Sequence, residues 1–309
     1  MDFFNPRQVP EDGYQISYES PAGDWYELHN YDRALNRERR VALVKGGWSG
    51  GESSPDFAEQ ASVTNFGVHR TGFKIPSFEG SLDVVVRDVP SQLAFTRRNW
   101  VRSWSYFQPG KLRVVARDGG NKWTPVVLRS LSEPEFETAS RNAVQMQVGW
   151  ESLAGTWLGA PAYYVPGESS TAVRVVTPGD VKPSVRLIWD SSKSAKVTFP
   201  SGQVLTLNAG GNPPPPEAPK GLLGWIKWML GIREKAASYT PISGARFINL
   251  DRGMAGQITR PDGSVDSQTW SQLRGQVLGV SLEPHEVSHW VLEGAVGLEV
   301  TPRYLTPWG

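Results

Sequence analysis

The chain of 309 residues has no cysteine and only four histidines and four methionines. Without cysteine it can form neither disulfides nor thiolate metal sites, so its stability must come from packing. It also lacks any run of about 20 apolar residues, so no helix is predicted to span a membrane. Residues 1–6 contain neither a basic nor an apolar stretch, and we expect no signal peptide. These absences favour a protein made in a reducing cytoplasm.

An excess of charge of one sign is lacking as well. The 32 basic and 31 acidic side chains give a formal net charge of +1. Specific nucleic-acid binding usually needs a strongly basic face, which this balance does not predict. The sequence contains no P-loop, and no carboxylate pair stands out. We therefore assign no catalytic residue, cofactor or metal ligand.

Turn-forming and aromatic residues are abundant, with 32 glycines, 24 prolines and 13 tryptophans. Turns between short β-branched and aromatic runs are typical of all-β proteins. The length suits two domains better than one small sandwich. We predict a mainly β protein, with a β domain carrying one short helix at residues 1–160 and a β-sandwich at residues 161–309.

Strands of the first domain are predicted from apolar alternation and from the Asp118-Gly119 turn, which is typical of a hairpin. Their ranges are 24–29, 39–45, 78–88, 111–117, 122–129 and 143–150. The Gly- and Ser-rich residues 46–54 predict a flexible loop between two of them.

A helix is predicted over residues 92–104, with Ser91 as its cap. Leu93, Val101 and two tryptophans can share one face of it, and the arginines point elsewhere. For each arginine, contact with a neighbouring subunit and a solvated helix face are both open. The candidate contacts of this helix are Arg97, Arg98, Trp100, Arg102 and Trp104.

The second domain consists of strands and turns that follow one another as in a β-sandwich. The predicted strands are 173–176, 181–189, a hairpin at 196–207, 245–251 and 297–308, with turns at 177–180 and 260–264. Residues 209–240 interrupt this order as an insertion. Its four prolines, 213–216, favour a polyproline II arm.

Beyond the prolines, Lys220, Gly224, Lys227, Gly231 and Glu234 recur at helical spacing and leave a wide apolar face. We predict an amphipathic helix that docks on another protein, with packing on its own domain or contact with a membrane interface as alternatives. The candidate docking residues are Leu222, Trp225, Ile226, Trp228, Met229 and Ile232.

Residues 285–289 read His-Glu-Val-Ser-His, which matches the H-E-x-x-H signature of zinc hydrolases. That signature needs a helix, whereas Pro284 and the β-rich flanks predict a turn followed by a strand. No third ligand is well placed, since Leu292 and Ala295 stand where one longer version of the motif has glycine and histidine. We therefore expect ordinary surface or core histidines here, and keep a zinc hydrolase as the minor alternative.

The tryptophans permit a second alternative, a carbohydrate-binding module that attaches to glycans through surface tryptophans. Aromatic faces stack on sugar rings, but the same side chains also fill sandwich cores and subunit interfaces. We expect core or interface positions for most of them.

The order of short phrases along the whole chain resembles the distal tail protein of long-tailed phages, and most closely the minor tail proteins of phages that infect actinobacteria. In the first domain the matching phrases are residues 80–86, Arg98-Asn99-Trp100 with Trp104, and residues 110–114. In the second they are Thr177-Pro178-Gly179-Asp180 with Pro183, Asp251, Pro261-Asp262-Gly263 and Pro302-Arg303-Tyr304. The insertion at 209–240 is longer than the usual loop of that family.

The resemblance implies a structural virion protein without enzymatic activity. Its first domain would close a hexameric ring around the tail channel, and its second would be a galectin-like sandwich projecting outward. The ring would join the tail tube protein to the tail-tip hub protein and the host-recognition parts, with the tape measure protein as a further possible partner. The protein would be assembled in the host cytoplasm and located at the tip of the phage tail.

Overall fold

The computed structural model describes residues 13–31, 36, 38–61, 68–132, 142–167, 171–210, 244–251, 257–273 and 280–308. It divides into two compact units, residues 1–160 with 303–309 and residues 161–302. Most described residues are in antiparallel strands, so the prediction of a mainly β protein is confirmed. No helix among the described residues is both long and apolar enough to cross a membrane.

The described part of the first unit includes ten strands and helix α1. They are β1 (Tyr14–Glu19), β2 (Trp25–His29), β3 (Val41–Gly50), β4 (Asp56–Ala61), β5 (Val68–Lys74), β6 (Phe78–Arg87), α1 (Leu93–Arg102), β7 (Gly110–Ala116), β8 (Asn121–Leu131), β9 (Ala143–Ser152) and β10 (Trp157–Gly159).

Two sheets form the first unit, and the long strand β8 belongs to both. One sheet has the order β2-β1-β7-β8-β10, and the other has the order β3-β6-β9. The first half of β8 pairs with β7, and its second half pairs with β9 after a shift of register between Leu128 and Ser130. Strands β4 and β5 form a separate two-stranded hairpin.

The core of this unit follows the alternation of the strands. Every second residue is buried in β6 from Leu82 onward and throughout β9, for example Leu82, Val84 and Met146. They pack in one cluster with residues of β1 and β7, such as Ile16 and Leu112. Each such side chain stabilises the fold by about 1.5–3 kcal/mol through loss of water contact.

Residues 46–54 were predicted to form a flexible loop, but Gly46 to Gly50 belong to strand β3. The strand pairs with β6, and its register shifts between Leu43 and Trp48. A Cβ at Gly47 would lie 2.5 Å from Asp83 O, and one at Gly50 would lie 2.5 Å from Glu79 O. Glycine therefore permits a bulged strand to approach its neighbour closely, and the loop prediction is wrong for these residues.

Helix α1 is shorter than predicted and begins at Leu93. Its N-cap is Gln92, which makes no side-chain capping hydrogen bond, so Ser91 is not the cap. The N-terminal turn is instead held by Asp88, whose carboxylate accepts hydrogen bonds from Thr96 Oγ1 (2.5 Å) and Val89 N (2.8 Å). These hydrogen bonds, with Thr96 the larger effect, hold the pKa of Asp88 below its usual range.

Tyr18 fixes the C-terminal end of α1 to the sandwich. Its ring stacks on Trp104 at 3.9 Å and meets Trp100 edge-on at 5.9 Å. The buried hydroxyl donates to Ser103 O at 2.8 Å. Burial, followed by the neighbouring Tyr26 and Asp24, raises the pKa of Tyr18, so it is present as the neutral donor that this hydrogen bond needs.

Residues 303–309 lie in the first unit, whereas the sequence analysis placed them in the second domain. Tyr304 pairs with Trp157 of β10. The buried Lys122 Nζ lies 4.1 Å from the Tyr304 ring centroid and donates to Thr306 O at 3.2 Å. The Trp308 ring lies 5.2 Å from that of Trp48. Aromatic packing and these hydrogen bonds therefore hold the segment in the first unit.

The described part of the second unit contains nine strands and helix α2. They are β11 (Ala162–Tyr164), β12 (Ala172–Val176), β13 (Val181–Asp190), β14 (Ala195–Thr198), β15 (Val204–Leu207), β16 (Ala245–Asn249), β17 (Ile258–Thr259), α2 (Ser267–Leu273), β18 (Val287–Gly294) and β19 (Val296–Tyr304), whose last two residues belong to the first unit. One sheet has the order β17-β16-β13-β19-β11, and the other has the order β12-β18-β14-β15.

The two sheets of the second unit share one core, in which Trp189 of β13 and Trp290 of β18 are fully buried. The Trp290 ring meets Phe199 at 5.3 Å, and its indole nitrogen donates to Ser288 Oγ at 3.0 Å. The strands predicted at 173–176, 181–189 and 196–207 are confirmed by β12 to β15. The galectin-like character of the sandwich stays a prediction.

Asp266 is a buried carboxylate that caps α2. It accepts hydrogen bonds from Arg246 Nε at 2.6 Å, Thr269 N at 3.1 Å and Thr269 Oγ1 at 3.0 Å. Burial alone would raise the pKa of Asp266, but the hydrogen bonds from Thr269 and Arg246 outweigh it and lower the pKa. The carboxylate therefore joins α2 to β16 in its charged form.

Gly110→Ala should lower the unfolding free energy of the first unit by about 1–3 kcal/mol, because the added Cβ forces the core apart. That Cβ would lie 2.6 Å from Tyr18 Cε2 and 2.7 Å from Glu19 O. Gly120→Ala is the matched control, since its Cβ would meet nothing closer than 3.4 Å. Chemical denaturation measures both, and equal stability of the two variants would contradict the packing described for Tyr18.

Asp266→Asn should lower the unfolding free energy at neutral pH by about 3 kcal/mol, because it removes one charge of the buried ion pair between Asp266 and Arg246. The folded-state pKa of Asp266 is lowered, so its contribution is complete above the unfolded-state pKa of about 3.9 and is lost as the pH falls through the folded-state value. The difference in unfolding free energy between wild type and variant should therefore become smaller as the pH is lowered.

Glu293→Gln is the control for this prediction, because Glu293 pairs with Lys196 at 3.3 Å on the surface. Exposed pairs contribute less than about 1 kcal/mol. Denaturation curves at a series of pH values measure both variants. If the loss of unfolding free energy caused by Asp266→Asn is the same at every pH, the charged form of Asp266 does not stabilise the fold.

Candidate assembly surface

Helix α1 separates its predicted contact residues into two groups. Trp100 and Trp104 are buried in the core of their own unit, where they pack on Tyr18 and Tyr26. Arg98 and Arg102 are exposed, and Arg97 is half-buried. The tryptophans therefore position the helix, and the arginines are the predicted residues that it presents to solvent.

The surface of α1 is basic. The helix contains three arginines and no acidic residue. Within the described part of the chain, none of the three arginines forms a salt bridge. Arg102 lies in the last turn, where a cation interacts favourably with the helix dipole, but the arginines nearer the N-terminus lack that benefit. An acidic partner would gain from all three.

Exposed aromatic side chains flank both ends of α1. Phe95 in its first turn is 54% exposed, and Phe107 beyond its C-terminus is 92% exposed. The turn that carries Phe107 is ordered, because Ser105 Oγ accepts hydrogen bonds from Phe107 N at 3.2 Å and Gln108 N at 3.0 Å. Large apolar side chains held in water in this way are typical of interaction surfaces.

A cleft of about 390 Å³ lies beside the N-terminal half of α1. Its lining comprises Trp25, Tyr26, Glu27, Arg39, Arg40, Val41, Phe95, Thr96 and Asn99. Trp25 is 51% exposed, and the Arg40 side chain is 67% exposed. Arg39 pairs with Glu27 at 2.5 Å, and Arg40 lies 3.6 Å from Asp88. The cleft thus combines aromatic walls with cationic side chains, which suits a partner with an aromatic group and negative charge.

A second exposed aromatic pair lies on the β4–β5 hairpin. Phe57 and Phe73 are directly opposite in the register, and their ring centroids are 6.4 Å apart. Their exposed fractions are 43% and 48%. This pair adds a further apolar surface to the first unit.

Residues 285–289 form a turn and the start of a strand, not the helix that the zinc signature needs. His285 has φ of +60°, and β18 begins at Val287. Thr177 Oγ1 lies 2.6 Å from Glu283 O and 2.9 Å from Glu286 O, and it accepts a hydrogen bond from Glu286 N at 3.1 Å. The motif is therefore a turn closed around Thr177.

Most described tryptophans of the second unit are buried. Among its described tryptophans, Trp189 and Trp290 are fully buried, and Trp270 on α2 is 41% exposed. The two strand tryptophans serve core packing because they lie on the inner faces of the sheets. These core positions agree with the expectation for most tryptophans, and the glycan-binding alternative stays a prediction.

The predicted docking helix cannot be placed. Leu222, Trp225, Ile226, Trp228, Met229 and Ile232 lie outside the described residues. Their docking role stays a prediction from the sequence.

Several surface residues were missed by the sequence analysis, namely Trp25, Phe57, Phe73, Phe95 and Phe107. Trp25 and Phe95 lie in elements that the sequence predicted correctly. Apolar periodicity shows which residues can share a face, but it does not show which face the rest of the chain leaves uncovered. Only Phe107, one residue before Gln108-Pro109-Gly110, carried a signal, because an aromatic residue in a turn has no strand to pack against.

Comparison with known proteins found similarity in three-dimensional structure but none in sequence. The Dit protein (gp 19.1) of phage SPP1, presented as a paradigm of the hub adsorption apparatus in phages infecting Gram-positive bacteria, matches with a TM-score of 0.55 and 10% identity. The match covers 94% of this chain and 98% of that chain. No family model and no curated protein matches the sequence.

Two structures of the phage P2 baseplate in its activated conformation match as well. The structure with Ca has a TM-score of 0.51 and the structure with Sr has 0.50, each at 8% identity. Each match covers 95% of this chain and 99% of that chain. The chain therefore has the fold of these phage proteins along nearly its whole length.

His285→Gly should raise the unfolding free energy by up to about 1 kcal/mol, because a non-glycine residue at positive φ is strained and glycine is not. His289→Ala is the control, since His289 is exposed on β18 and should change stability little. Thermal denaturation with and without added zinc measures both. Zinc-dependent stabilisation of the wild type that either substitution abolishes would restore the hydrolase alternative.

Proposed function

We propose that the protein is a structural component of a phage tail tip, a distal tail protein. The observation that carries the proposal is the fold likeness to the SPP1 Dit protein over 94% of this chain and 98% of that one. Because the likeness extends over both units, we infer that both take part in the assembly. The exposed aromatic and basic residues around α1 add support, because an isolated sandwich gains nothing from holding them in water.

In this proposal the first unit forms a ring, with six copies as the expected number. The contact is heterologous, so that one patch of each copy meets a different patch of the next and the rotation closes. Arg98 and Arg102 of α1 contact the neighbouring copy, while Trp100 and Trp104 hold the helix in place for that contact. The ring joins the tail tube protein to the hub protein, and the tape measure protein is a further candidate partner.

The second unit projects from the ring as a galectin-like sandwich and carries the 209–240 insertion toward another virion protein. The protein acts in the virion at the tail tip after assembly in the host cytoplasm, and its role is mechanical with no catalytic step. The buried strand tryptophans do not favour the glycan-binding alternative, and the turn at 285–289 does not favour the zinc hydrolase.

The purified protein should form a discrete ring, visible as a single high-mass species in light scattering and as rings in negative-stain images. Arg98→Glu with Arg102→Glu should shift the population toward monomers, because it reverses the charge of the exposed α1 surface. Arg117→Glu is the control, since Arg117 is exposed on the β7–β8 turn, outside α1.

A wild type that stays monomeric at high concentration would contradict the ring. A ring that survives both α1 substitutions would instead show that the contact uses another surface. Circular dichroism of each variant separates lost assembly from lost folding.

A further inference from the structure

Phe107 is the most exposed large apolar side chain among the described residues, with 92% of its surface in water. Its turn is nevertheless held in place. Ser105 Oγ accepts hydrogen bonds from the backbone of residues 107 and 108, and Ser105 O accepts one from Leu128 N of β8 at 2.8 Å. A side chain that is already held in position loses little freedom when a partner covers it, and this favours binding.

The cleft beside α1 has room for such a side chain. Its volume of about 390 Å³ falls within the range of roughly 300–1,000 Å³ that is typical of binding pockets. Three aromatic residues, Trp25, Tyr26 and Phe95, are among those that line it. An aromatic ring that enters the cleft would leave water and adjoin other aromatic rings, and both changes favour its insertion.

The charges of the cleft suit an uncharged aromatic group. Arg39 pairs with Glu27, and Arg40 lies 3.6 Å from Asp88, so the cations already have counter-charges in their own copy. The Arg40 side chain is still 67% exposed and can lie over an inserted ring. The face of a phenyl ring carries partial negative charge, which attracts a guanidinium group without the cost of burying an ion.

We propose that Phe107 of one copy inserts into the cleft beside α1 of the next copy. The inference rests on the ring of the proposed function and names the anchor of its contact. Phe107 does not fill the cleft of its own copy, because it is not among the lining residues and stays exposed on a turn that is held in place. A second copy therefore supplies the ring.

The positions of the two features suit a closed ring of copies. The cleft lies beside the N-terminal half of α1, and Phe107 follows its C-terminal end. Each copy can therefore donate an aromatic side chain at one place and receive one at another, which is the heterologous contact that rings require. Arg98 lies less than one turn after Phe95, so the cleft adjoins the arginines that the proposed function places against a neighbouring copy.

The expected area of contact gives Phe107 the role of an anchor. A buried phenylalanine removes roughly 150–250 Å² from water, whereas a stable contact needs about 800 Å² from each partner. The surface of α1 around the cleft must therefore join the contact. Aromatic side chains that fill a pocket near the centre of an interface usually carry most of its binding energy.

Phe107→Ala should raise the protein concentration at which half of the copies are in the ring by about tenfold or more, because each contact loses its anchor. Tyr106→Ala is the matched control, since Tyr106 precedes Phe107 in the same turn and is 56% exposed. It should change that concentration little. Light scattering over a dilution series measures both variants, and circular dichroism checks that each is folded.

A mixing experiment shows whether the two features meet in different copies. Phe95→Ala should weaken the ring as Phe107→Ala does. An equal mixture of the two variants should regain part of the lost assembly, because one variant keeps Phe107 and the other keeps the cleft. Mixing Phe107→Ala with the double variant Phe95→Ala/Phe107→Ala at the same total concentration is the control, and it should regain nothing.

Rings of Phe107→Ala and Tyr106→Ala that dissociate at the same concentration would overturn the inference and leave the ring standing. A loss in Phe95→Ala that mixing does not repair would also overturn it, because the cleft would then hold another part of the neighbouring copy. A wild type that stays monomeric at high concentration would contradict the ring and the inference with it. The failure of the inference alone can therefore be told from the failure of the proposed function.

Discussion

The first unit depends on the placement of one side chain, Tyr18, against the end of α1. Its ring lies parallel to Trp104, and its hydroxyl completes a helix terminus by donating to Ser103 O. A helix of ten residues is only marginally stable in water by itself, and α1 has neither an N-cap side chain nor an acidic first turn. Tertiary packing therefore creates the helix, and with it the basic surface and the cleft.

The glycine at position 110 shows how tight this arrangement is. A Cβ there would enter the space of both Tyr18 and the backbone of β1. Gly80 has the same relation to Trp150, since its Cβ would lie 2.4 Å from the indole ring. Both glycines open phrases by which the sequence resembles phage distal tail proteins. These phrases thus keep backbone close to large aromatic rings, which is a requirement of packing rather than of turn formation.

In the second unit, polar contacts hold a turn and a helix in place. Thr177 closes the turn at 283–286, and Asp266 links α2 to Arg246 of β16. Both sites lie where the chain leaves the regular ladder of a sheet, and buried polar groups there need partners that strands do not supply. The turn also explains how a sequence can match a metal signature without the geometry of a metal site. On a helix, His285 and His289 would lie one turn apart on the same face. In this structure His285 lies in a turn and His289 lies in strand β18.

The sequence by itself determined the β class and most strand positions, because alternation and turn residues act locally: β6, β9 and the β7–β8 hairpin follow directly from their own residues. It misassigned residues 46–50, since the need for a bulge there arises from β6, which is distant in sequence. It placed two tryptophans of α1 among candidate contacts, but whether an aromatic face is buried depends on what packs on it. Only the tertiary structure decided that Trp100 and Trp104 are core while Trp25, Phe95 and Phe107 remain exposed. The physical reason is that periodicity defines the faces of an element, and burial of a face is a property of its neighbours.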